Sequence, residues 1–89
     1  MDREYFLKNF IMDLRHKRFN NKEEIINKIL IQNEVFDVSL NNGYKDLENL
    51  DYLLIGTVNF VDNDYFDFEL WYLLDNNNNI YITETHILD

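Results

Sequence analysis

Two histidines, a scatter of carboxylates and one tryptophan are the side chains through which this 89-residue chain could do chemistry. His16 stands in the basic run Arg15-His16-Lys17-Arg18. Cations at a helix C-terminus are favoured by the helix dipole, so a capping role is expected of it. His86 falls near the end of a strand pattern, on the core side opposite Phe68, where a structural histidine is expected. Asp67 and Glu69 could share acid-base work only if their surroundings drove their pKa values apart, and an open sheet surface offers no such contrast. No Ser-His-Asp order, phosphate loop or zinc-helix motif occurs. The expectation is a chain without catalytic residues, metal ligands or cofactors.

Asp75, Asn77 and Asn79 have the one-three-five spacing of a calcium loop. However, Ile80 replaces the glycine such a loop needs at its sharp turn, and His86 stands where the bidentate glutamate would fall. Solvated turn residues explain this segment and Asp62-Asn63-Asp64 equally well. Cysteine is absent, which removes disulfides, thiolate nucleophiles and sulfur-ligated zinc.

Charge is the most informative feature of the composition. Residues 1–33 carry seven basic side chains against five acidic ones, a net of +2. Residues 34–89 carry Lys45 alone against twelve acidic side chains, a net of −11, which brings the chain to −9. Phosphate binding draws on clustered Lys and Arg, so direct nucleic-acid binding is disfavoured and basic protein partners are favoured. The stretch from Arg15 to Arg18, with Lys22, is the one basic patch and reads as a solvated helix end. With 46% apolar and 16% aromatic residues the chain should fold, and its length suits one domain over residues 1–89. Asp2, Arg3, Glu4 and Lys8 do not suit a secretory signal, and no apolar run approaches the roughly 20 residues of a membrane span, so a cytoplasmic protein is expected.

The elements that must position these groups follow from periodicity. Phe6, Leu7, Phe10, Ile11 and Leu14 recur at helical spacing over residues 3–18. Asn21, with Glu24 three positions later, opens a second helix in a capping-box variant, and Ile25, Ile26, Ile29 and Leu30 form its stripe. The two helices are expected to form an antiparallel hairpin. Residues 34–40 alternate as a short strand, Asn41-Asn42-Gly43 marks a turn, and residues 45–50 suit a single helical turn. A meander follows over residues 52–61, 65–74 and 80–87. The expected fold class is α+β, a two-helix hairpin on one face of an antiparallel sheet of three to four strands.

Period-2 alternation puts Leu54, Val58, Phe60, Phe66, Phe68, Leu70, Tyr72, Leu74, Ile80 and Ile82 beneath the helices. With the first hairpin centred on Asn63, Asn59 would face Asp67, Thr57 Glu69 and Ile55 Trp71; with the second on Asn77, Trp71 would face Thr83 and Leu73 Tyr81. The opposite face would then carry Leu53, Ile55, Trp71, Leu73 and Tyr81 beside Asp67 and Glu69. Aromatic anchors within a polar rim resemble a binding hot spot. The candidate partner-binding residues are Asp62, Asp64, Asp67, Glu69, Trp71, Asp75 and Tyr81. The competing reading is that the segment 34–45, or a second copy of the chain, covers this patch.

In size, asparagine-rich composition, helix and strand count, and carboxylates at Asp62, Asp64, Asp67, Glu69 and Asp75, the chain resembles small acidic inhibitors encoded by phages and mobile elements. The resemblance is above all to the anti-CRISPR proteins of low-GC bacteria, some of which mimic DNA. It carries no diagnostic motif. It implies a stoichiometric inhibitor whose carboxylates occupy an arginine-lined nucleic-acid channel, such as the PAM-reading region of a Cas nuclease. An immunity protein neutralising a basic toxin and a self-associating structural subunit are the alternatives.

Overall fold

Asp2 caps the first helix by accepting a 2.9 Å hydrogen bond from the Glu4 amide, satisfying one of the donors that a helix start leaves unpaired. The computed structural model describes residues 2–43 and 51–88; the helical turn expected at 45–50 lies outside them. Helix α1 spans Arg3–Met12 and buries Leu7 and Ile11. It stops six residues earlier than its periodicity suggests, because the chain turns through Asp13 and pairs as β1, Arg18–Phe19. His16 adopts φ 68° in this turn, well beyond the helix end, so it is not a helix-capping cation. Phe6 is exposed, and the buried stripe is completed by Leu14 within the turn.

Helix α2, Lys22–Leu30, begins as its cap predicts. Asn21 accepts from the Glu24 amide at 2.9 Å, and the Glu24 carboxylate reaches back to the Asn20 amide, one residue outside the usual partner. Strands β2 (Val35–Asn42), β3 (Tyr52–Phe60), β4 (Tyr65–Leu74) and β5 (Ile80–Leu88) follow. The fold is α+β with a five-stranded antiparallel sheet in the order β1-β5-β4-β3-β2. The expected helix hairpin does not form: β1 separates the helices, α1 packs on β5, and α2 packs on β2. Helix α2 leaves the sheet at one edge strand and returns at the other, so it crosses the whole covered face.

The core lies between this face and the helices. Leu7, Ile11, Ile25 and Ile29 meet Leu54, Val58, Phe68, Leu70 and Ile82, all at most 2% exposed. Tyr72 is partly buried against this cluster and stacks on Tyr52 at 5.3 Å. Burial, and then the neighbouring Tyr52, raise its hydroxyl pKa above the ordinary value. Leu74, expected in the core, is 45% exposed because it is the last residue of its strand.

Two registers differ from expectation. In the first hairpin Asn59 pairs with Tyr65, so Thr57 faces Asp67, Ile55 faces Glu69 and Leu53 faces Trp71. The turn is centred on Asp62 rather than Asn63, with Asn63 in the left-handed conformation that asparagine tolerates. In the second hairpin Leu73 faces Tyr81 as expected, but an irregularity between Trp71 and Tyr72 leaves Thr83 as an extra residue of β5 and pairs Trp71 with Glu84. Every residue after it changes side. Thr85 and Ile87 turn inward, opposite Leu70 and Phe68, and His86 lies exposed opposite Glu69 rather than in the core.

Candidate protein-binding face

Residues paired across antiparallel strands point to the same side, so the face away from the helices reads in rows. Asp37 pairs with Asn59 and Asn59 with Tyr65. The next row is Ser39, Thr57, Asp67 and Leu88, and the next Asn41, Ile55, Glu69 and His86. Leu53, Trp71 and Glu84 follow, then Leu73, Tyr81 and Arg18. The face therefore has an apolar half, from Ile55 and Leu53 through Trp71 to Leu73 and Tyr81, and an acidic half built on Asp37, Asp67 and Glu69.

No ion pair joins Asp37, Asp67 or Glu69 to a cation among the described residues. Asp67 accepts a 2.6 Å hydrogen bond from the Thr57 hydroxyl, which fixes the carboxylate without neutralising it. Asp67 and Glu69 are two residues apart on one strand, about 7 Å, close enough to sum their potential on a single partner. Asp51, just before β3, accepts from the Thr83 hydroxyl at 2.9 Å. Since β3 and β5 both flank β4, this bond crosses over β4 beside Trp71 and Leu73.

The seven candidate residues separate into two sets. Asp67, Glu69, Trp71 and Tyr81 share the outer face. Asp62 and Asp64 lie in the β3–β4 turn, where the Arg3 guanidinium binds both at 2.5 and 3.2 Å, together with Glu34 at 3.3 Å. Arg3 also lies 4.5 Å over the Phe60 ring. The Arg3 hydrogen bond holds the Asp62 carboxyl below the usual aspartate range and raises the Arg3 pKa in return. Asp75 organises the β4–β5 turn, accepting from the amides of Asn77 and Asn79, and it also meets Arg18 at 3.2 Å. The Asn79 amide is the main cause of its lowered pKa. Much of the loop charge is thus engaged within the molecule.

Asp37 is the member that sequence reasoning did not select. Its alternation with Val38 and Leu40 placed it off the core, but only the pairing of β2 with β3 brings it to the same side as Asp67. Tyr81 is already partnered: His16 stacks parallel to it at 6.3 Å, and the Arg18 guanidinium lies 5.4 Å from its centroid. His16 and His86 line one cleft with Arg15, Glu84 and Thr85. Among the described residues no group of three or more potential ligands could hold a metal ion. No helix among them is long and apolar enough to cross a membrane. No family model matches the chain, and comparisons with curated proteins and with solved structures find no match either.

Proposed function

We propose that the chain is a non-enzymatic, protein-binding inhibitor that engages a basic surface of another protein through its outer sheet face. The observation that carries this reading is one juxtaposition. Asp67 and Glu69, with no cation partner among the described residues, stand on the strand of Trp71, and Asp37 lies farther along the same face, which neither helix covers. Unpaired carboxylates steer a basic partner from a distance, and an aromatic residue supplies contact energy once water is excluded. The resemblance to anti-CRISPR inhibitors points to the nucleic-acid-binding surface of an enzyme such as a CRISPR nuclease, and a basic toxin is the alternative of the same chemistry. A protein surface that holds phosphates already presents the Arg and Lys such a ligand needs.

The test is competition. The chain is titrated into guide-loaded CRISPR nucleases, and into basic nuclease toxins, each holding a labelled nucleic acid. Displacement at one-to-one stoichiometry is expected, and it should weaken steeply as salt is raised. Converting Asp37, Asp67 and Glu69 together to lysine should abolish it. Displacement that survived this triple reversal would remove the acidic face from the mechanism.

The apolar half favours a second reading, self-association, because Ile55 and Leu73 are 41% and 40% exposed next to Trp71. That reading requires dimers indifferent to salt, which sedimentation at low and high ionic strength distinguishes from the first.

A further inference from the structure

The molecule twice builds the same arrangement from its own residues. Arg3 lies over the Phe60 ring and binds Asp62, Asp64 and Glu34; Arg18 lies over the Tyr81 ring and binds Asp75. In each, a planar guanidinium lies over an aromatic ring while its N–H donors meet at least one carboxylate; Lys8 sets an ammonium in a similar place, 5.5 Å from the Phe66 centroid and 3.1 Å from Glu4, but without the planar fork that can stack and hold two carboxylates at once.

A third set of the same parts lacks its arginine. Trp71 has Glu84 as its cross-strand neighbour and Glu69 two residues before it on its own strand, all on the outer face. Trp71 makes no ring stack or cation contact among the described residues. Among the described residues Glu69 has no ion pair, and Glu84 meets only His86, at 3.2 Å, with its side chain 61% exposed. We infer that the partner supplies the missing group: an arginine that stacks on Trp71 and is held by Glu69 and Glu84, in preference to a lysine. This rests on the acidic-face reading above and sharpens it from a basic partner to an arginine-presenting one. The unsatisfied negative charge of the face argues for a cationic occupant rather than a second copy of this chain, whose equivalent face would bring like charges together.

The chain has one tryptophan, so its indole resonance and fluorescence report on this site alone. Hexa-arginine and hexa-lysine peptides of equal charge are titrated into the full chain at fixed ionic strength. The arginine peptide should bind about fivefold or more tightly and shift the indole N–H signal. Trp71→Leu should bring the two affinities together, as should the surface variant Glu69→Gln/Glu84→Gln, which leaves the core untouched. Equal binding of both peptides to the wild-type chain would overturn the arginine inference while leaving the acidic-face reading intact. Binding of neither peptide would overturn both. A preference for arginine that persists in the double glutamine variant, or an indole already buried in a peptide-free dimer, would also overturn the inference.

Discussion

The guanidinium of Arg3, in the first turn of α1, is bound to the carboxylate of Asp62 in the β3–β4 turn, 59 residues downstream. This contact ties the first helix to the turn of the β3–β4 hairpin and removes Asp62 from the pool of charge available to a partner. It also makes part of the stability depend on pH. The folded-state pKa of Asp62 lies below the ordinary 3.8. Its contribution is therefore fully present above that value and is lost as pH falls through the depressed one. Arg3→Gln should lower the melting temperature at neutral pH, and the gap to the wild type should narrow as pH falls below 3.8 and Asp62 takes up its proton. Thermal melts across pH 2 to 7 measure this, and a constant gap would disprove it.

Gly56 faces Phe68 across β3 and β4, and a Cβ at Gly56 would fall well inside van der Waals contact of the Phe68 Cζ. Its φ is not positive, so the glycine is required by space rather than by backbone conformation. Because Phe68 is fully buried and packed beside Phe66, the ring has little room to yield. Gly56→Ala should cost about 1 to 3 kcal/mol by overpacking, read from urea denaturation. A neutral result would show that the ring moves freely.

Asn21→Ala removes the acceptor for the Glu24 amide and should destabilise the protein by about 1 kcal/mol. Glu24→Gln, which keeps an acceptor for the Asn20 amide, should cost less. Equal losses from the two variants would contradict the cap assignment.

Thr83 is an extra residue in β5, and its removal leaves Trp71 opposite Glu84 and Tyr72 opposite Ile82. Deleting Thr83 should therefore preserve the faces, at about 1 kcal/mol for the lost hydrogen bond to Asp51. Deleting Thr85 instead would carry His86 into the core and turn Ile87 to solvent, with a cost above about 3 kcal/mol. Denaturation midpoints and amide spectral dispersion for the two deletions give the comparison.

Much of the architecture was legible in the chain itself. The stripe through Leu7 and Ile11, the Asn21 cap, the three meander strands and, Leu74 apart, the inward set from Leu54 to Ile82 follow from local periodicity and capping chemistry, which act over a few residues. So does the concentration of acidic side chains after residue 33. What needed the tertiary structure was whatever depends on pairing at a distance. Two residues, Arg18 and Phe19, have no strand signature of their own and become β1 only because β5 offers them an edge. The parity of β5 could not be read through Thr83, since alternation assigns faces only within an unbroken ladder and one added residue reverses every face after it. The site divided for the same reason. Asp62, Asp64 and Asp75 look the same as Asp67 and Glu69 in sequence, but Arg3 and Arg18 reach the first three only after folding brings them close. The charge that stays open on the outer face is the remainder that no cation among the described residues reaches.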